Sequence, residues 1–280
     1  MINLSRVDKL IKEVEDSIKS PRKIHKDEEL YVGVDLGTAY IVIVVLDSEK
    51  KPVACEMQFA QVVRDGLVVD FIGATNIVKD LKRKLEDKLG VELTKAAIAV
   101  PPGTDERDIK THSYVIEGAG MEVISVEDEP TAANAVLQID NGVVVDVGGG
   151  TTGLSIFKDG KVIYTADEAT GGTQLSLVVS GAYKIPFEEA EQKKKDAKNQ
   201  EEIFHIVTPV IQKIASIIKT HIKGFDVEEI YLVGGTCCLK EFEKVIQKET
   251  RISTVKPSNP FLVTPLGIAM NCATNHFNMR

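Results

Sequence analysis

The sequence predicts an α/β protein of two similar lobes facing each other across a cleft, and three observations carry that prediction. The first is an internal repeat. Tyr31 Val32 Gly33 Val34 Asp35 enters the turn Leu36 Gly37 Thr38 and leaves along Tyr40–Leu46. Val143 Val144 Val145 Asp146 likewise enters Val147 Gly148 Gly149 Gly150 Thr151 Thr152 Gly153 and leaves along Leu154 Ser155 Ile156 Phe157. Each copy runs on into a further turn and strand, at 51–54 and 161–164. The second is the alternation of strand-length apolar runs with segments of helical period, which predicts helices layered on sheets. The third is that no low-complexity linker interrupts the 280 residues, a length that can bury a substantial core in two lobes. Two copies of one supersecondary unit are then expected to oppose their turns.

The longer turn reads as a phosphate cradle. Glycines bring backbone N–H groups close to an anion, threonines add hydroxyl donors, and an Asp at the end of a rigid strand can hold a divalent cation against phosphates. Gly148, Gly150 and Gly153 formally satisfy G-x-G-x-x-G, but that fingerprint needs a helix to open at the glycines. Here 154–157 alternates as a strand, Lys158 Asp159 Gly160 Lys161 turns and Val162 Ile163 Tyr164 resumes a strand, so the cradle is a hairpin tip. No G-x-x-x-x-G-K-[ST] occurs. The first copy alone could be an ordinary tight hairpin; the two together point to phosphate binding.

Composition excludes other classes. A net charge of −8 spread along the chain, without a basic patch interleaved with aromatics, argues for a soluble protein that does not bind nucleic acid. The longest apolar run, 39–46, is far short of a membrane span, and the N-terminus alternates charges where a signal peptide is apolar. A cytoplasmic protein with no membrane partner is expected. Cys55, Cys237, Cys238 and Cys272 lack metal spacing and are expected as reduced thiols, and the five histidines show no H-E-x-x-H pattern.

In chain order, Leu4, Val7, Leu10, Ile11, Val14 and Ile18 predict a helix with Ser5 as its candidate cap, ended by Pro21, which packs on the body of the protein on the preferred reading and docks on a partner on the alternative one. Arg64 Asp65 Gly66 is a turn, a helix runs from Ala74 to a stop at Gly90, and 96–100 is a buried strand. A helix from Thr104 or Asp105 to Gly118 and a strand at 123–126 lead to Glu127 Asp128 Glu129, three acids before a helix start, of which one is expected to reach the cleft. After the second repeat come a glycine turn at 167–173, an apolar helix at 175–182, and a charged helix from Pro186 with acids first and bases last. A long helix at 203–222, a strand at 229–233 ending in Gly234 Gly235 Thr236, and a last helix from 264 complete the chain.

Five motifs in this order, Gly33 to Thr38, Glu129 to Ala133, Asp146 to Thr152, Leu232 to Thr236 and Pro265 to Ala269, resemble the phosphate 1, connect 1, phosphate 2, adenosine and connect 2 signatures of the actin, sugar kinase and heat-shock chaperone ATPase superfamily. The resemblance covers about residues 28 to 275. Within it, 62–66, 126–133 and 166–172 look most like the EutJ family of ethanolamine utilisation proteins, which is similar to DnaK-type chaperone ATPase domains. The resemblance implies two ribonuclease-H-like lobes of the actin-like ATPase fold with a nucleotide cleft between them. It divides the chain into a terminal helix at 1–27, a first lobe at 28–140 with a small insert at 49–91, and a second lobe at 141–280. The second lobe would carry an insert at about 171–221, with its last helix, from 265, packed back on the first lobe.

Carried over by motif, the cofactors are ATP and Mg²⁺. Asp146 would contact the metal directly, Asp35 and Glu129 through water, and these three carboxylates form the catalytic set. Gly37 and Thr38 would hold phosphates, with Gly149, Gly150, Thr151 and Thr152 as the second phosphate loop. Gly171 and Gly172 would line the nucleotide, Glu191 and Lys194 touch ribose, and Gly234 and Gly235 admit adenine. No counterpart of the chaperones' catalytic lysine is found, which implies slow hydrolysis, and the chain stops at connect 2, so a peptide-binding domain is not expected. The function implied is an ATP-driven chaperone-like switch for assembly or reactivation of ethanolamine microcompartment enzymes. Its partners would be client enzymes or shell proteins, with oligomers allowed. A nucleotide-dependent actin-like scaffold is the second class and a metabolite kinase the third, though the insert at 49–91 leaves little room for a metabolite pocket.

Overall fold

In the computed structural model, residues 4–25 and 28–278 are described. Helix α1 (Leu4–Lys19) comes first and ends before Pro21. Ser5 lies inside this helix, so it is not a cap; Val7, Ile11 and Val14 are fully buried against the strand Pro52–Phe59 and the two helices named below that link the lobes. Asp8 accepts from Ser258 N at 2.7 Å and Glu15 from Asn259 Nδ2 at 2.9 Å, which ties the helix to the second lobe as well.

The first lobe follows as β1 (Tyr31–Leu36), β2 (Tyr40–Leu46), β3 (Pro52–Phe59), a small hairpin of β4 (Val63–Arg64) and β5 (Leu67–Val68), α2 (Phe71–Leu89), β6 (Lys95–Val100), α3 (Glu106–Gly118), β7 (Glu122–Asp128) and α4 (Glu129–Leu137). The second contains β8 (Gly142–Val147), β9 (Thr152–Lys158), β10 (Lys161–Glu168), α5 (Gly172–Tyr183), α6 (Phe187–Lys195), α7 (Gln200–His221), β11 (Glu229–Val233), α8 (Phe242–Thr250), β12 (Ser253–Val255) and α9 (Val263–Asn278). The sheets are ordered β3-β2-β1-β6-β7 and β10-β9-β8-β11-β12. In each, the first three strands are antiparallel and the last two join in parallel, so the two lobes share one topology and the expected α/β two-lobe fold is observed.

Local chemistry sets the boundaries. Helix α2 begins at Phe71, earlier than the apolar period suggests, because the Asp70 side chain accepts from Gly73 N, and it stops at Gly90 in the left-handed region. Helices α5 and α7 also begin about three residues before their apolar stripes. Helix α8 and strand β12 were not foreseen: nine and three residues carry too little period to register. By length and composition α7 could cross a membrane, and its stripe Ile203, Val207, Ile211, Ile214 and Ile218 is buried in the second lobe's core. All four cysteines are free thiols.

Chain crossings between lobes run through α4 and α9, and these helices touch backbone to backbone. A Cβ at Gly267 on α9 would lie 2.0 Å from the Ala132 carbonyl oxygen on α4, and one at Gly33 on β1 would lie 2.3 Å from Ala269 N.

Candidate functional site

Between the sheets lies a cavity of about 760 Å³. From the first lobe it receives Asp35, Gly37, Thr38 and Glu129; from the second, Asp146, Gly149, Gly150, Thr151, Gly172, Gly234 and Gly235, together with Glu191 and Lys194. Thr152 and Gly171 stand outside the lining. The Thr152 side chain is fully buried and its hydroxyl donates to the Thr170 carbonyl at 2.6 Å, so it holds the loop's backbone and offers no donor to the cavity.

The acids sit where strands end. Asp146 is near the end of β8 and 5% exposed; the Thr264 hydroxyl donates to its Oδ2, and Gly234 fits against it only because a Cβ there would lie 2.3 Å from Oδ1. Gly234 also has φ +91, where a side chain is strained. Among the three adjacent acids, Asp128 caps α4, accepting from Thr131 N and Ser155 Oγ at 2.9 Å each, and Glu129 opens the helix into the cavity.

Burial dominates the electrostatics. It pushes Asp35 up to about 7, helped by the Asp146 charge, and Asp146 up to about 6 against the Thr264 hydrogen bond. Glu129 is raised by burial and then by Asp146, Asp35 and Asp167. Opposite them, α6 supplies cations already paired. Lys194 Nζ lies 2.7 Å from Glu191 Oε2, 2.8 Å from Ser176 Oγ and 3.1 Å from the Gly172 carbonyl. Lys195 Nζ lies 2.8 Å from Glu191 Oε1 and stands over the rings of Tyr40 at 4.7 Å and Phe59 at 5.1 Å, bridging the lobes. Burial would raise Glu191, but the Lys194 charge and hydrogen bonds from both lysines and Ser176 outweigh it and hold the carboxyl at about 2.

Several contributors escaped the sequence reading. Asp167 on β10 is pushed up to about 6, first by burial, and its Oδ1 is buried without a hydrogen-bond partner. It precedes the turn at Gly171 and Gly172 as Asp146 precedes Gly148, the one signal that could have found it. Tyr40, Phe59 and Phe261 form an edge-to-face group, with ring centroids 5.6 and 5.4 Å apart, on the cavity wall; they come from three separate elements and share no sequence motif. Arg64 lines the cavity from the small hairpin.

These residues fit a magnesium polyphosphate. Three lining acids with raised affinity for protons, with Asp167 outside the lining but interacting with Glu129 and Asp146 by charge and carrying an orphaned oxygen, make a site that favours positive charge. Among the described residues no three His, Cys, Asp or Glu are grouped to hold a metal ion by themselves. Asp146 would hold the ion, Asp35 and Glu129 would bond its water, and the two turns would take the phosphates. When bound, the ion would offset negative charge on the phosphates.

Comparison with known proteins follows this geometry. Residues 108–270 match the family model described as Type IV pilus assembly protein PilM. The chain is 46% identical over 244 residues to the ethanolamine utilization protein EutJ of Salmonella typhimurium, covering 87% of this chain and 86% of that one. A crystal structure of EutJ from Carboxydothermus hydrogenoformans superposes with a TM-score of 0.90 at 47% identity, covering 96% of this chain and 99% of that one. MreB5 of Spiroplasma citri bound to AMPPNP superposes with a TM-score of 0.74 at 17% identity over 90% of this chain and 98% of that one, a likeness of fold. The architecture is therefore the actin-like ATPase fold, and the chain belongs to the EutJ family, within the wider group that the PilM model describes.

Proposed function

We propose that the cleft binds Mg-ATP and that the protein is a slowly hydrolysing two-lobe switch of ethanolamine utilisation. It would act in the cytoplasm, at a bacterial microcompartment, on assembly or reactivation of its enzymes, with client enzymes or shell proteins as partners. The observation that supports this reading is the convergence of both Gly/Thr hairpin tips and three strand-end acids on one cavity between lobes. Relatives named for ethanolamine utilisation and a neighbour of the same fold bound to an ATP analogue lend the substrate class and the setting. Within that reading Glu129, the longer acid, orients the attacking water, while Asp146 positions the metal. Closure of the lobes on nucleotide and reopening after hydrolysis would alternate two surfaces for a client.

A thermal-shift titration tests it. Mg-ATP at ~100 times its dissociation constant adds about 2.7 kcal/mol, worth several degrees at ~2–4 °C per kcal/mol for a chain of this size. Asp146→Ala is expected to remove most of that rise. An unchanged midpoint for the parent across millimolar ATP and ADP would end the proposal.

A second reading, a nucleotide-dependent scaffold, draws on one observation. Large apolar side chains are exposed on both lobes, Leu67, Val69, Phe71 and Ile72 on the first and Val162, Ile163, Leu177 and Val178 on the second. Leu177 lines the cavity, and the others, on different lobes, would suit a head-to-tail contact between copies.

A further inference from the structure

We propose that Arg64, mounted on the β4–β5 hairpin against the second glycine turn, reads the terminal phosphate of a nucleoside triphosphate and so sets a preference for tri- over diphosphate. This rests on the nucleotide reading of the cleft.

Charge singles out the residue. Three cationic side chains of lysine or arginine line the cavity, and two of them, Lys194 and Lys195, are paired with Glu191. The Arg64 side chain makes no ion pair or hydrogen bond among the described residues. It thus faces a cavity lined by Asp35, Glu129 and Asp146 with its guanidinium uncommitted. A free arginine beside unpaired carboxylates that do not bind it is placed for a ligand bridging both: a polyphosphate whose oxygens take the fork and whose metal takes the acids.

Its mount places it at the polyphosphate. Arg64 pairs with Leu67 across a two-residue turn in which Asp65 and Gly66 have φ +49 and +77, the conformation of a tight hairpin. That turn presses on the other lobe: a Cβ at Gly150 would lie 2.9 Å from both Asp65 N and Asp65 Cα, and 2.8 Å from Thr38 Oγ1. The hairpin tip, the first turn and the second turn therefore meet at one point. On its other side, a Cβ at Gly66 would lie 2.6 Å from Pro101 Cγ, so the hairpin is wedged between the lobes. Glu191, Lys194, Gly234 and Gly235, which by motif belong to ribose and adenine, come from α6 and the end of β11 in the second lobe. A nucleotide laid from there reaches the meeting point with the far end of its phosphate chain.

Arg64 is exposed, so substitution leaves the core intact and an unchanged thermal midpoint verifies the fold. Calorimetric titration of parent, Arg64→Gln and Arg64→Lys with Mg-ATP and Mg-ADP is the test. Arg64→Gln is expected to weaken Mg-ATP by roughly 10- to 100-fold, the size of a charge-assisted hydrogen bond, and Mg-ADP by less than about 2-fold. Arg64→Lys should recover part of the loss, since it keeps the charge without the fork. Equal weakening of both nucleotides, or of neither, in a parent that binds them would overturn the role of Arg64 and leave the nucleotide reading standing. A parent that binds neither nucleotide would overturn both.

Discussion

The two lobes carry the same five-stranded sheet and differ in what is inserted between its third and fourth strands in sequence. The first lobe inserts the β4–β5 hairpin and α2; the second inserts α5, α6 and α7. The division of charge follows the division of structure. Asp35, Asp146 and Asp167 lie on sheet strands and Glu129 immediately after one, whereas Arg64, Lys194 and Lys195 come from inserts. A carboxylate raised by burial needs a rigid mount, which strand ends supply, while cations that meet a ligand or partner can ride on elements free to vary between relatives. The turns differ too: the second is longer and carries three glycines in a row, of which Gly150 has no room for a Cβ, while the first carries the single Gly37.

The largest expected effect probes that packing. Gly234→Ala drives a Cβ into Asp146 Oδ1 and into the Val147 carbonyl oxygen, 2.5 Å away, at a positive φ, so it should cost ~3 kcal/mol or more. Gly37→Ala meets only the Tyr40 carbonyl oxygen, at 2.8 Å, and should cost about half as much. Urea midpoints of the two variants measure the contrast; equal losses would show that the seat of Gly234 against Asp146 and Val147 is no tighter than the first turn.

The acids give the next effect. Asp35 titrates at about 7 in the folded chain and from a usual value of 3.8, so folding takes up a proton between these. Its stabilising contribution is full below about pH 4 and lost as pH rises through about 7, a total on the order of 4 kcal/mol. Glu191, held at about 2, acts with the opposite sign and only in acid. Without magnesium or nucleotide, Asp35→Asn should therefore be more stable than the parent at pH 8 and not at pH 4. Asp146→Asn should gain less, because the charged form keeps the Thr264 hydrogen bond. Denaturation of the three proteins at both pH values resolves the difference.

The smallest concerns the bridge. Lys195→Ala removes an ammonium over two rings of the other lobe and should cost ~0.5–1 kcal/mol. Amide exchange should rise at Tyr40 and Phe59 and stay unchanged on β8; an unaltered pattern would mean that the bridge does not hold the cleft.

Repetition made much of this legible. Asp35 and Asp146 could be found because each follows a strand-length, valine-rich segment and precedes a Gly/Thr turn, and the repeat itself implied two opposed lobes. What lay hidden depends on long-range proximity. Thr264 meets Asp146 across 118 residues, and Lys195 meets Tyr40 across 155. Nothing in the charged run 188–195 distinguishes a solvated helix from a cavity wall; only Ser176 and Gly172, placed beside it by α5, make Glu191 and Lys194 partly buried partners. Asp167, at the start of the glycine turn expected at 167–173, is a strand residue with an orphaned oxygen.

The contact of α4 with α9 has a consequence in leverage. With no side chain between Gly267 and the Ala132 carbonyl, the two helices cannot slide past one another without a clash, yet they can roll. The crossing then serves as a fulcrum. Glu129 stands three residues before Ala132 on α4, and Thr264, which donates to Asp146, three residues before Gly267 on α9, so Glu129 and the hydroxyl that holds Asp146 lie within one turn of the fulcrum. Lys195 and Tyr40, held by ring contacts on other elements, sit on longer arms. Rotation of the lobes would open their bridge widely while the spacing of the acids hardly changes.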